Sequence, residues 1–137
     1  MEYKDIKQRL RNYKIIKAKK KHYELTLEEL NEISITAVNY DTIGGKSYTV
    51  SAPTEDKALE LVDNICEITK IIKDFGREVM RIENAISILN DLERDVIEMV
   101  YFNGRKYDTI TYKLNKSFRS VKKIENTALK KIAEILN

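Results

Sequence analysis

The sequence has no tryptophan and contains only one cysteine, one proline, one histidine and four glycines among its 137 residues. The single cysteine, Cys66, excludes an internal disulfide, and its apolar helical position predicts a buried thiol. Because proline and glycine are the residues that most often break helices, their scarcity indicates a largely helical chain. The only histidine, His22, stands beside three lysines, without an acid pair, metal-ligand spacing or nucleophile constellation. This inventory argues against an enzyme and predicts no cofactor and no metal site.

Long hydrophobic runs are also missing. No stretch approaches the roughly 18 uncharged apolar residues of a membrane-spanning helix, and the first residues, Met1–Asp5, are too polar for a signal peptide. We therefore expect a cytoplasmic protein without a membrane partner. The length predicts one domain, or one small domain with an extension.

The net charge of +3 conceals a strong segregation of charge along the chain. Residues 1–23 carry nine Lys or Arg and two acids, residues 24–103 carry seven and seventeen, and residues 104–137 carry nine and three. A basic terminal segment attached to an acidic middle suggests a polyanion-binding module on a scaffold with another role. Lysines on a solvated face would give the same counts.

Residues 1–89 are predicted to form a long antiparallel helical hairpin, with a loop at about 35–52. The first helix, Glu2 to about Ser34, has an apolar stripe that is interrupted at Lys19–Lys21. In the second, Pro53–Leu89, apolar residues alternate steps of three and four without a break, as in a coiled-coil seam. This difference leaves part of the seam for another chain, so we expect a homo-oligomer. The seam consists of Ala58, Leu61, Ile65, Ile68, Ile72, Phe75, Val79, Ile82, Ile86 and Leu89.

The loop contains Gly44-Gly45-Lys46-Ser47, which superficially resembles a phosphate-binding loop. The first glycine of that motif would stand five residues before the second, where the chain has Tyr40, and no buried strand precedes it. Nucleotide binding is therefore not expected.

Residues 90–137 are predicted to form a helix-turn-helix domain, so the fold class is all-α: a coiled-coil-like hairpin followed by this domain. Asn90 and Glu93 have the spacing of a capping box, which predicts a helix to about Phe102. The next helix spans about Tyr107–Leu114. Asn115 then suits a left-handed turn, and Ser117 can cap a third, basic helix. Such a shape places one helix in the major groove of DNA.

The residues of this module also carry a family resemblance. The spacing of its segments, its loop glycine and the ending of its third helix resemble the promoter-reading C-terminal domain of bacterial housekeeping-type sigma factors, over about 45 residues. The chain as a whole resembles phage-encoded late-gene transcription activators of the RinA/ArpU type. This resemblance lies in the hairpin, the Gly-Gly-Lys-Ser loop and the Pro-Thr-Glu start of the second helix, which all precede the helix-turn-helix. The segments that carry the sigma resemblance are Leu92–Ile97, Tyr101–Gly104, Tyr107–Ile110, Ser117–Val121, Ile124-Glu125 and Ala128–Ile132.

The resemblance implies that the third helix reads promoter DNA and that RNA polymerase is the protein partner. Sigma recognition helices commonly carry an Arg-Glu pair at the positions of Phe118 and Arg119, so the base preference should differ. Arg119 can pair bidentately with guanine, Lys123 lies one turn further on, and Phe118 can touch a thymine methyl. With Ser120, these residues are the base-contact candidates.

The phosphate-contact candidates are the residues better placed for the DNA backbone, which sets register and gives salt-dependent affinity. For each lysine a solvated face is the alternative, and for Phe118 simple packing. These candidates are Arg105, Lys116, Ser117, Lys122 and Lys130.

The sequence therefore predicts a phage or prophage DNA-binding transcriptional regulator, a sigma-like late-gene activator that acts at promoters with RNA polymerase. One alternative is a terminase small subunit, which would bind a DNA packaging site. The other is a coiled-coil adaptor that does not bind DNA.

Overall fold

A computed structural model describes residues 3–43 and 55–137, and the side chains of residues 3–35 and 56–137. The described elements are helical throughout, and α1 and α2 form the long hairpin that precedes a helix-turn-helix. The predicted all-α class is thus confirmed. The helices are α1 Tyr3–Ile43, α2 Glu55–Ser87, α3 Asp91–Ile97, α4 Tyr107–Leu114 and α5 Phe118–Leu136, and a π-helical turn at Glu98–Phe102 continues α3.

Contacts divide the chain into two compact units. The helix-turn-helix unit combines the described part of Met1–Lys17 with Arg77–Asn137, and the hairpin unit is the described part of Ala18–Gly76. The sequence instead predicts two domains that are each continuous in the chain, a scaffold at 1–89 and a DNA-binding domain at 90–137. In the structure, the start of α1 and the end of α2 pack with the C-terminal helices.

The core of the helix-turn-helix unit explains this grouping. Ile6 and Leu10, one helical turn apart on α1, are fully buried. They join one apolar cluster with the end of α2, with α3 and its π-helical turn, and with α5, so five segments share one core. The other members are Ile82, Ala85, Ile86, Leu89, Ile97, Tyr101, Ala128, Leu129 and Ile132.

The start of α3 is fixed at both the local and the tertiary level. The Asn90 side chain accepts a hydrogen bond from Glu93 N at 2.8 Å, and Glu93 Oε1 accepts one from Asn90 N at 3.3 Å, which confirms the predicted capping box. Glu93 Oε1 also lies 2.7 Å from Lys131 Nζ on α5. One buried carboxylate therefore caps α3 and ties it to α5.

The hairpin unit has a different character. The Tyr23 ring of α1 lies beside Phe75 of α2, with ring centroids 6.0 Å apart. None of the side chains described between residues 18 and 76 is buried, and the seam residues from Leu61 to Phe75 are only half-buried. Two helices alone leave their apolar faces incompletely covered. No helix in the described ranges is long and apolar enough to cross a membrane.

Two expectations differ from the structure. Helix α1 continues to Ile43, whereas the sequence predicts a loop from about residue 35. Residues 35–43 contain neither glycine nor proline, so nothing in them breaks the helix. Cys66 is exposed instead of buried, because it follows the seam residue Ile65 by one position and is rotated by about 100° away from the seam. The segments Gly44–Ser47 and Pro53-Thr54 lie outside the described residues.

Candidate nucleic-acid interface

The turn between α4 and α5 is set by local sequence. Asn115 has a positive φ of 54°, a conformation that asparagine tolerates better than most residues. The following backbone N–H, of Lys116, donates to Thr111 O at 3.1 Å and closes the end of α4. Ser117 then caps α5, since its hydroxyl accepts a hydrogen bond from Ser120 N at 3.2 Å. Both the predicted turn and the predicted cap are confirmed.

A small apolar cluster holds α5 against α3 and α4. Val96 of α3, Ile110 of α4 and Val121 of α5 are fully buried together. This cluster fixes the first turns of α5, the part of a recognition helix that meets base edges in helix-turn-helix proteins.

The opposite face of α5 is basic. Arg119, Lys123, Asn126, Thr127 and Lys130 are exposed. Together with the half-exposed Lys122, these residues line one shallow depression along the helix, and no acid is among them. The spacing of three and four residues brings the side chains onto a single face. The surface thus presents three exposed cations with the half-exposed Lys122 beside them, a composition suited to a polyanion.

The structure places the other base-contact candidates at the start of α5. Phe118 is 54% exposed, and its ring packs edge-on against Tyr107 with centroids 5.4 Å apart. Ser120 is exposed, and its hydroxyl lies 3.0 Å from that of Ser117. The Phe118 ring is thus partly used in packing, and the Ser120 hydroxyl belongs to the helix cap.

Among the phosphate-contact candidates, Ser117 is exposed and caps α5, and the other four separate into three groups. Arg105 precedes α4 and Lys116 precedes α5, and both are exposed. Lys130 lies in the α5 depression with Arg119 and Lys123. Lys122 differs from all of these, because its ammonium lies against other side chains of the protein.

Lys122 belongs to an internal network. Its Nζ donates to Tyr107 Oη at 2.9 Å and lies 3.4 Å from Glu125 Oε2. It also sits 4.3 Å from the centroid of the Tyr107 ring. The hydrogen bond to Tyr107 raises the pKa of Lys122; partial burial opposes this, and attraction to Glu125 adds to it. The lysine is therefore held in its charged form.

Glu125 is the centre of this network and was not identified as a functional residue from sequence. It is only 2% exposed. Its carboxylate accepts hydrogen bonds from Tyr101 Oη at 2.6 Å and from Tyr107 Oη at 3.0 Å. Burial, followed by the bond to Glu125, raises the pKa of Tyr101 well above its ordinary value, so Tyr101 remains a donor. The available sequence signal was an acid on the inward face of α5, one turn after Val121.

Asn126 and Thr127 were also missed. They stand seven and eight residues after Arg119, about two helical turns, and so share its face. The Thr127 hydroxyl donates to Lys123 O at 2.9 Å, whereas the Asn126 amide is exposed beside the cations. Among the described residues there is no group of three or more His, Cys, Asp or Glu side chains that could hold a metal ion.

The described geometry is that of a helix-turn-helix whose second helix presents a basic face, the arrangement of a DNA-binding regulatory domain. Comparison with protein families agrees, because residues 85–134 match the family described as Sigma-70, region 4. The match covers the helix-turn-helix but less than half of the chain. It supports the predicted sigma-like helix-turn-helix and indicates a DNA-binding regulator. Comparisons with curated proteins and with solved structures gave no match.

Proposed function

We propose that the protein is a phage or prophage transcriptional regulator that binds promoter DNA through α5 and acts with RNA polymerase, as a late-gene activator of the RinA/ArpU type. The observation that carries this proposal is the acid-free, four-cation face of α5 on a sigma-like helix-turn-helix. The polymerase partner rests on the sigma similarity alone. The phage assignment rests on the resemblance of the hairpin and the loop.

On this proposal, some exposed residues in and around α5 contact bases and others contact phosphates. Arg119, in the first turn, forms two hydrogen bonds to a guanine edge, and Lys123 reaches the next base. Phe118 touches a thymine methyl with the exposed part of its ring. Lys116, Arg105 and Lys130 neutralise phosphates, which makes affinity depend steeply on salt.

Replacing Arg119 by alanine is expected to weaken binding to the preferred sequence by about tenfold to a hundredfold and to relax specificity at one base pair. The preferred sequence is obtained by selecting bound duplexes from a random pool. Binding is then measured by fluorescence anisotropy at several salt concentrations. The matched control is Arg81→Ala, which removes an exposed arginine from α2.

Equal effects of the two arginine substitutions would remove Arg119 from the reading surface. Failure of the unaltered protein to bind any duplex at low salt would overturn the proposed function and favour the adaptor. The position of the selected sequence in the phage genome distinguishes a transcriptional regulator from a terminase small subunit. A promoter upstream of late genes supports the regulator, which must then raise transcription by purified polymerase, whereas a packaging site supports a terminase small subunit.

We further propose that a second copy of the chain covers the hairpin unit. Leu59 and Val62, on the outer side of α2, are each more than half exposed, and the seam beside them is only half-buried. Charge also changes along this unit, since cations gather near its Ala18 and Gly76 ends and acids further along both helices. In an antiparallel dimer, the basic end of each hairpin unit would lie against the acidic end of the other copy. The cations near the two ends are Lys19, Lys20, Lys21, Lys70 and Lys73, and the acids further along include Glu24, Glu28, Glu29, Glu60, Asp63 and Glu67; Lys57 and Asp74 are exceptions to this pattern.

Replacing Val62 by glutamate is expected to convert the oligomer to monomer at micromolar concentration, because the charge would be buried in the shared interface. Sedimentation velocity measures the change. Met80→Glu is the control, since Met80 is an exposed apolar residue of α2 outside the hairpin unit and should leave the mass unchanged. An unaltered protein that is monomeric at tens of micromolar would contradict the proposal.

A further inference from the structure

The four cations of the α5 depression are not equivalent. Arg119, Lys123 and Lys130 extend from exposed positions and form no ion pair with the described residues. The Lys122 side chain is 39% exposed, and its ammonium is shared between Tyr107 Oη and Glu125 Oε2. Its direction is therefore set by α4 and by the buried side of α5.

The network stabilises the Lys122 ammonium in its observed position. A buried carboxylate such as Glu125 is tolerated only when it is paired and hydrogen-bonded. The two tyrosine hydroxyls supply hydrogen bonds to Glu125, and Lys122 supplies the only cation within 4 Å of it among the described residues. If the ammonium moved to a DNA phosphate, the buried carboxylate would lose that counter-charge.

The same contacts fix the start of α5. The Tyr107 ring contacts both Lys122, whose Nζ is 4.3 Å from its centroid, and Phe118, whose ring centroid is 5.4 Å away. Lys122 Nζ also lies 5.9 Å from the Phe118 ring. Tyr107 begins α4 and Phe118 begins α5, so the lysine, the tyrosine and the phenylalanine set how the two helices of the motif meet.

We propose that Lys122 is a positioning residue, which orients α5 through Tyr107 and Glu125 and makes no phosphate contact. The proposal rests on the proposed function and departs from the sequence-based expectation for this lysine. The phosphate and base contacts of α5 then fall to Arg119, Lys123 and Lys130. Removal of Lys122 weakens DNA binding because the recognition helix loses its fixed orientation.

Salt dependence separates a positioning lysine from a phosphate contact. The experiment measures the slope of log Kd against log salt concentration for the full-length protein on its selected duplex. Lys130→Gln, at a proposed phosphate contact of the same helix, is expected to reduce the magnitude of the slope by about one, the value for one lost phosphate contact. Lys122→Gln is expected to weaken binding by about tenfold while it changes the slope by less than about half of that amount.

A double-mutant cycle provides the second readout. Tyr107→Phe removes one hydroxyl and no charge, and is expected to weaken binding to a similar extent as Lys122→Gln. The doubly substituted protein should bind no more weakly than either single variant, because both changes break one interaction. A slope reduced by one in Lys122→Gln, together with additive losses in the cycle, would overturn the proposal and assign a phosphate contact to Lys122.

The binding experiment distinguishes failure of the proposed function from failure of the positioning role. If the unaltered protein binds no duplex at low salt, the function fails, and the positioning role is judged by thermal unfolding alone. The same cycle should then show coupled losses in Tm between Tyr107→Phe and Lys122→Gln. Additive changes in Tm would overturn the positioning role.

Discussion

Replacing Glu125 by alanine is expected to lower the free energy of unfolding by about 3 kcal/mol, because the substitution removes the acceptor at the centre of a buried network. Tyr101 and Tyr107 would each lose the acceptor of a hydroxyl group. Lys122 would lose its counter-charge, an effect that is smaller because the lysine is partly solvated. Urea unfolding followed by circular dichroism at neutral pH measures the change.

The control for this prediction lies on the same helix. Glu134 is an exposed glutamate of α5, so Glu134→Ala makes the same chemical change without disturbing the network. Its effect should stay within about 0.5 kcal/mol. Glu125→Gln keeps the shape and one acceptor oxygen and is expected to fall between the two. Similar losses for Glu125→Ala and Glu134→Ala would show that the network contributes nothing to stability.

Local signals were sufficient to predict the helix-turn-helix. The boundaries of α4 and the start of α5 depend on residues that act within one or two turns: Asn115, which accepts a positive φ, and Ser117, which caps its own helix. Asn90 and Glu93 define the start of α3 in the same way. The side chains of Asn90, Glu93 and Ser117 each accept a hydrogen bond from backbone three residues away, and Asn115 acts through its own φ, so these effects are visible in the sequence.

The internal pairing of the site could not be predicted in that way. Glu125 meets its two tyrosine partners across 24 and 18 residues of chain, and only the packing of the π-helical turn, α4 and α5 brings them together. Counting lysines on the outer face of α5 treats Lys122 like Lys123, although Glu125 offsets the charge of one and not of the other. Charge patterning therefore predicted a basic face on α5 but not the internal pairing of Lys122.

Contacts between residues distant in sequence also affect the division into domains, which the sequence alone does not reveal. The sequence separates a hairpin from a helix-turn-helix because the two segments have different periodicity and different charge. Arg9 and Glu78, which form an ion pair with an N–O distance of 2.7 Å, are 69 residues apart. Nothing near Arg9 in the sequence indicates that the start of α1 completes the core around α5.

Replacing Leu10 by alanine tests that shared core, and is expected to lower the free energy of unfolding by about 2–5 kcal/mol. Leu10 has no exposed surface and belongs to the cluster that contains Leu129 and Ile132 of α5. The cavity left by the missing methyl groups would lie in the core that supports the recognition helix. Urea unfolding should therefore show one cooperative transition for the helix-turn-helix unit, shifted to lower denaturant.

A second leucine of α1 supplies the comparison. Leu25 is 47% exposed and lies in the hairpin unit, so Leu25→Ala removes the same atoms but leaves no buried cavity, and should cost less than about 1 kcal/mol. Fluorescence anisotropy at a fixed temperature adds a functional readout, since DNA binding should fail at a lower urea concentration in Leu10→Ala than in Leu25→Ala. If both variants unfold and release DNA at the same concentration, α1 is not part of the unit that holds α5. If Leu10→Ala alone fails early, the first turns of α1 complete the DNA-binding domain from the far end of the chain.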